Sequence, residues 1–242
     1  MVSQKTKKVT GVQEWAKKSV NIQYGCQHGC KYCYAMNMAR RFKRIPAAGW
    51  ENPVFKWRLR LPRNTTVMFP STHDICEDNL VYCLEIIGEL LKRGNKLLIV
   101  SKPHLECIKS ICWHFKGEQD KIEFRFTIGS IDNKILQYWE PNAPLFEERI
   151  DAVKWALNCD HKVSISCEPL LDRECDIIEY LVRDPELNNV SEIWIGAMNN
   201  VAHTPKLDYQ TIYDRYNEKP LKTLIKWKES FRKHLKIGET PQ

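Results

Sequence analysis

Short apolar runs rich in valine, isoleucine and aromatic residues alternate along the chain with longer stretches whose apolar positions recur every three to four residues. These are the periods of buried strands and of amphipathic helices, and their alternation predicts consecutive βα units around a mainly parallel sheet. Six strands are predicted, at Ser19–Tyr24, Thr65–Pro70, Lys96–Val100, Glu123–Ile128, Lys162–Ser166 and Glu192–Ile195. Helices are predicted over 34–44, 79–93, 104–115, 145–158, 173–183 and 220–236. The second carries Leu80, Cys83, Leu84, Ile87 and Leu91 on one face behind a capping Asp78, and the fourth carries Phe146, Ile150, Val153 and Leu157. These stripes are read as core.

In barrels and open α/β sheets alike, reactive groups gather where parallel strands end. Just beyond the six strands the chain reads Gly25-Cys26, Ser71-Thr72-His73-Asp74, Ser101-Lys102-Pro103-His104, Gly129-Ser130-Ile131-Asp132, Cys167-Glu168-Pro169 and Gly196-Ala197-Met198-Asn199-Asn200. Polar, ionisable and small residues thus line one predicted rim. The least regular stretch, 45–63, reads as an insertion between the first helix and the second strand.

A length of 242 residues with 43% hydrophobic residues suits one soluble domain spanning 1–242, with this insertion and a C-terminal helix at 220–236. No apolar run of membrane-spanning length and no signal-peptide core is visible, so a cytoplasmic protein without a membrane partner is expected. The net charge of +7 admits an acidic partner such as nucleic acid without requiring one. Ten cysteines would suffice for five disulfides, but seven are scattered through apolar or helical segments, as in a reducing compartment. The other three are tightly spaced.

Those three lie in Gly25-Cys26-Gln27-His28-Gly29-Cys30-Lys31-Tyr32-Cys33-Tyr34-Ala35, a C-x3-C-x2-C spacing directly after a strand and opening a helix. Three thiolates on a cubane of four irons and four sulfides leave one iron without a protein ligand, and an open position is what a catalytic metal centre needs. Gly25 and Gly29 let the loop wrap closely. The competing reading is a zinc site of Cys26, Cys30 and Cys33 with His28 as fourth ligand, in a nucleic-acid-binding protein. A plain electron-transfer cluster would want a fourth cysteine, and none of the other seven falls in a cluster pattern.

The spacing, with an aromatic residue before the last cysteine, resembles the signature of the radical S-adenosylmethionine (SAM) superfamily. The resemblance implies an α/β fold, an open, partial (β/α)6 TIM-like barrel of parallel strands with a 4Fe-4S cluster on the loop after the first strand. It implies SAM bound through its amino and carboxylate groups to the unique iron, and an electron from a low-potential donor of the flavodoxin or ferredoxin type. Reductive cleavage then gives methionine and a 5′-deoxyadenosyl radical that abstracts a hydrogen atom from substrate.

The resemblance extends further. Arg125 to Asp132, followed by Trp139-Glu140-Pro141-Asn142-Ala143-Pro144 and Glu148 to Ala152, resembles the fourth-strand region of the spore photoproduct lyase and DNA-repair-photolyase-like branch. Ser164 to Leu171 resembles its fifth strand, and the strand ending Glu168-Pro169-Leu170-Leu171 is shared with phage-associated proteins of unassigned function. By position, Tyr32 would lie near the adenine, and Ser71, Thr72 and Asp74 would meet the methionine amino group. Thr127, Ser130, Ser166, Glu168, Met198 and Asn199 are candidates for carboxylate, ribose and adenine contacts. Lys102 and His104 would face substrate or form an ordinary helix-start pair; Cys76 or Cys167 would return a hydrogen atom to a product radical, against the favoured reading of both as small buried hydrophobes. The chain departs from the lyase in being shorter and in having one helix-like segment, 220–236, after the sixth strand, which separates it from photoproduct repair itself.

The insertion speaks to the substrate. Between Arg40 and Arg63 eight cations face the single acid Glu51, interleaved with Phe42, Trp50, Phe55 and Trp57. Phe55, Trp57 and Leu59 alternate with Lys56, Arg58 and Arg60, so a short β-ribbon would place the cations on one face, to track phosphates while aromatics stack on bases. A solvated basic surface with its aromatics in the core is the competing reading. A nucleobase in DNA or RNA, a nucleotide, or a small metabolite are the substrates left open.

Overall fold

The computed structural model describes residues 11–172, 176–198, 207–218 and 221–235. Its frame is a seven-stranded parallel sheet whose strands lie side by side in chain order. Six of the seven belong to the stretches the pattern predicts. They are β1 (Lys18–Ser19), β4 (Thr66–Phe69), β5 (Lys96–Ser101), β6 (Ile122–Thr127), β7 (Lys162–Cys167) and β8 (Ile193–Ile195), with β9 (Ile225–Trp227) added at the far edge. A separate antiparallel ribbon joins β2 (Gln23–Tyr24) to β3 (Val54–Phe55). The helices are α1 (Tyr34–Arg41), α2 (Leu80–Lys92), α3 (Leu105–His114), α4 (Asn133–Trp139), α5 (Phe146–Asn158), α6 (Asp176–Arg183), α7 (Tyr209–Tyr216), α8 (Leu221–Leu224) and α9 (Glu229–Arg232). The edges β1 and β9 do not pair, so the fold is the open, parallel α/β barrel expected.

Strand period two sorts the side chains. In β6, Ile122, Phe124 and Phe126 pack fully buried toward the helices, while Arg125 and Thr127 point the other way beside Ser164 and Ser166 of β7. Each large apolar side chain buried this way contributes about 1.5–3 kcal/mol. The interior face therefore carries the polar residues, with Thr127 and Ser166 at its upper end.

Three predicted elements end differently. The run Ser19–Tyr24 is two strands, because the side chain of Asn21 replaces the ladder: its Oδ1 accepts the N–H groups of Ser71 and Thr72 at 2.7 and 2.8 Å and its Nδ2 donates to Ser71 Oγ at 2.9 Å. Freed from the sheet, the chain turns and pairs with the insertion. The helix predicted over 220–236 is instead α8, β9 and α9 in succession. Ile225 and Trp227 alternate with half-buried Lys226 along the edge of β8, whose backbone groups would otherwise lack partners. The cap predicted at Asp78 falls at Asn79, because a single 3-10 turn, Glu77–Asn79, precedes α2. Among the described residues no helix is long and apolar enough to cross a membrane.

Candidate active site

The cysteine loop leaves β2 at Gly25 and enters α1 at Cys33. Gly25 has φ +96°, and a Cβ there would lie 2.6 Å from the carbonyl oxygen of Trp50 and 2.9 Å from Cα of Pro53, so only glycine fits. The Cys26 N–H donates to that same carbonyl at 2.9 Å, tying the loop to the insertion. Cys33 caps α1, its sulfur accepting the Met36 N–H at 3.3 Å. A helix N-terminus favours negative charge on that sulfur.

A second rail holds the loop from outside. The Lys31 N–H donates to the Trp139 carbonyl at 2.9 Å, the Asn142 N–H to the His28 carbonyl at 3.3 Å, and Asn142 Nδ2 to the Gln27 carbonyl at 3.0 Å. The Tyr32 hydroxyl donates to Glu140, whose other oxygen meets Arg149 at 2.5 Å in a wholly buried ion pair. Arg149 also donates to the carbonyls of Pro144 and Thr127. Burial first, and then the Glu140 carboxylate, hold the Tyr32 phenol well above its ordinary value, so it stays a donor. The stretch from Trp139 to Arg149 had shown only a likeness to a branch of one superfamily; its structural work is to brace the loop.

The three cysteines line one cavity of about 310 Å³ at the carboxyl ends of the strands. Tyr32, Ser71, Thr72, Asp74, Lys102, Thr127, Ser166, Glu168 and Met198, all singled out from the sequence, line it too. Among the described residues, Ser130, Cys167, Cys76 and His104 do not join them. Ser130 is buried and spends its Oγ accepting the Asp132 N–H in a turn. Cys167 is fully buried in the core, pointing opposite to Ser166 along β7. Cys76 lies off the cavity and donates to Gln27 Oε1 at 2.8 Å. Asn199 lies outside the described residues. Of the third-loop pair, Lys102 lines the cavity, whereas His104 meets His28 and Glu148.

Sequence reasoning missed several wall residues. Trp50 comes from the insertion, Tyr34 from the first turn of α1, and Trp15 from the segment before β1. Lys228, just past β9, is 1% exposed and reaches the Gly11 carbonyl and Glu14 at 3.1 Å and Glu168 at 3.6 Å. Reading 220–236 as a helix hid it. Gly196 leaves room for Glu168, since a Cβ there would lie 2.6 Å from Glu168 Cγ. Burial raises the Glu168 carboxyl despite Lys228 and the 2.8 Å bond from Ser230.

The charges near the thiols are paired. Asp74 receives His28 Nδ1 at 2.9 Å and Lys102 Nζ at 3.3 Å on one oxygen, and the Lys102 N–H at 2.7 Å with Ser101 Oγ at 3.1 Å on the other. Burial opposes its ionisation, but Lys102 and His28 outweigh burial and hold Asp74 well below the usual carboxylate range. His28 Nε2 meets His104 Nε2 at 2.9 Å. Both ring nitrogens of His28 are therefore engaged, which removes it as a ready fourth zinc ligand. Cys26, His28 and Asp74 bring their ligand atoms within 4.8 Å of one another, but the ammonium of Lys102 already supplies a cation there.

The thiols fit an iron–sulfur cluster better. Burial pushes Cys30 up to about 12 and raises Cys26 and Cys33 as well, so the thiolates need a strongly cationic partner. Among the described residues no fourth cysteine lines the cavity. Across it, the Ser166 hydroxyl is 1% exposed and has no hydrogen-bond partner among the described residues. A buried polar group of this kind is ordinarily satisfied by a ligand or a water.

Solved structures share this fold. SuiB of Streptococcus suis, bound to S-adenosylmethionine, superposes with a TM-score of 0.58 at 12% identity, over 92% of this chain and 53% of that one. A spore photoproduct lyase mutant with bound AdoMet and a dinucleoside spore photoproduct superposes with a TM-score of 0.54 at 19% identity, over 75% of this chain and 56% of that one. The chain thus shares the open, parallel α/β fold of these two structures. In sequence, an uncharacterized protein of Acidianus two-tailed virus is 24% identical over 177 residues, 64% of this chain and 56% of the viral one. No family model matches. The chain thus spans a little over half the length of each of these relatives.

Proposed function

We propose that this protein is a radical SAM enzyme in which Cys26, Cys30 and Cys33 hold a 4Fe-4S cluster and the adjoining cavity takes SAM. The observation that carries this is the convergence of three braced cysteines, without a fourth among the described residues, on a cavity that also presents the Ser166 hydroxyl, unpartnered among those residues. When bound, the pair supplies one-electron cleavage of a sulfonium C–S bond, leaving an alkyl radical able to take a hydrogen atom from substrate. The chain's own residues do the rest. Asp74 fixes the Lys102 ammonium beside the cysteines, where it offsets their negative charge. Ser166 would donate to the cofactor, and Thr127, Glu168 and Met198 would line its site. Trp15 and Trp50 keep water from the reacting atoms. The electron comes from a low-potential donor of the flavodoxin or ferredoxin type.

For the substrate we favour a nucleobase in DNA or RNA, or a nucleotide, over a small metabolite. The likeness to a lyase that binds a dinucleoside photoproduct, and the basic insertion, support this choice. Anaerobic reconstitution tests the reading: about four irons per chain and release of 5′-deoxyadenosine from SAM under strong reductant are expected, both lost in Cys30→Ala. One zinc without iron, or a loaded cluster that never cleaves SAM, would sink it.

A further inference from the structure

We infer that the face built by the end of α1 and the β2–β3 ribbon is a docking surface for single-stranded nucleic acid, which it presents to the cavity one unstacked base at a time. The inference rests on the reading of the cavity as the reacting site, but the surface has its own grounds.

The first is uncompensated charge. Arg40, Arg41, Lys43 and Arg44 are exposed at the end of α1, and none of them forms an ion pair with a described residue. Some lysines elsewhere do, as Lys109 does with Glu106 and Lys154 with Asp184. Lys56 belongs to the same field: burial lowers its ammonium, and nearby Arg44 lowers it further. Two stretches of chain twelve residues apart therefore share one positive patch.

The second is exposed aromatic surface within that patch. Trp57 is 93% exposed, Phe42 52% and Phe55 51%. The guanidiniums of Arg41 and Arg44 lie 5.8 and 5.7 Å from the Phe42 ring, and Lys56 Nζ lies 4.7 Å from the Tyr24 ring. The aromatics of the insertion are thus divided. Trp50 goes to the cavity wall, Trp57 faces solvent, and the half-exposed Phe55 packs edge-to-face on Tyr82 at 5.3 Å. Alternating cations and open ring faces match a polyanion that carries its own flat rings, and they match it best when its bases are unpaired.

The third is connection to the cavity. β2 runs straight into Gly25-Cys26, the Trp50 carbonyl holds the Cys26 N–H, and α1 begins with the cavity-lining Tyr34 and ends in Arg40 and Arg41. That helix is about 12 Å long, so the patch begins a short step from the rim. A buried cavity can act on a base only after the base leaves its stack, and a single strand bears the least cost of doing so. An acidic protein would meet the cations but would leave the aromatic faces without stacking partners.

Fluorescence anisotropy of a labelled single-stranded oligothymidylate with the full chain, with and without reconstituted cluster, tests this. Binding is expected to weaken with salt and to weaken about 5- to 150-fold in Trp57→Ala, the range that loss of one stacked base gives. Arg41→Ala combined with Arg44→Ala should lower the slope of log affinity against log salt by about 1.4. Iron content and SAM cleavage of Trp57→Ala should match the wild type. Oligonucleotide binding indifferent to Trp57, or displaced equally well by polyglutamate or by an acidic ferredoxin, would overturn the inference. A wild type that cleaves SAM but binds no oligonucleotide would sink this surface alone; Trp57-dependent binding by a chain that takes no iron would keep the surface and sink the enzymatic reading.

Discussion

A thiol buried among apolar atoms resists ionisation, and burial raises Cys26, Cys30 and Cys33 in this way, a cost that the proposed cluster would offset. The neighbouring Asp74 carboxylate raises them further, at Cys26 second only to burial, and Lys102 works against it. His73 shows the opposite sign of the same effect. It accepts the Ile22 N–H on Nε2 at 3.3 Å, and burial brings it down to about 4 from an ordinary 6.5. The folded state therefore binds fewer protons than the unfolded state between those values. Its contribution is complete above pH 6.5 and is lost as pH falls through 6.5 toward 4, about 3 kcal/mol in total. Urea denaturation of the apo chain at pH 7 and pH 4.5 should show a smaller drop in stability for His73→Gln than for the wild type. Equal drops would contradict the assignment.

At the scale of elements, the loop from Trp139 to Asn142 and the start of α5 matter as much to the site as the strands do, since they grip the cysteine loop by backbone and side chain. Glu140→Gln would leave Arg149 charged, buried and without its partner, so the apo chain should lose about 3–5 kcal/mol of stability. It should also take up iron less completely, because Tyr32 would lose its anchor. A loss under about 1 kcal/mol in chemical denaturation would show that the pair is not a brace. The elements best legible in the sequence are those whose period is unbroken, such as β5, β6, β7, α2 and α5. Legibility failed where one side chain or one neighbour overrode the period. Asn21 cut the first strand by taking its backbone partners, and the open edge of β8 drew Ile225–Trp227 out of a helical pattern.

For the whole molecule, parallel order explains why residues spread from Cys26 to Met198 meet around one cavity, and strand ends made most of that wall readable in advance. The parts contributed from outside the βα pattern were not readable. Trp15 and Lys228 come from segments that flank the two edge strands, and the contacts of Lys228 with Glu14 and Glu168 appear only when the open barrel brings those two segments together. Trp50 likewise needs the ribbon that β2 makes with the insertion. The cavity thus combines a legible rim with walls set by tertiary contact, and its occupant decides the account. The most direct measurement is the electron paramagnetic resonance spectrum of the reduced, reconstituted protein before and after SAM is added. The account predicts a 4Fe-4S signal that changes shape on SAM addition and is absent in Cys30→Ala. A signal indifferent to SAM, or no iron signal at all, would contradict it.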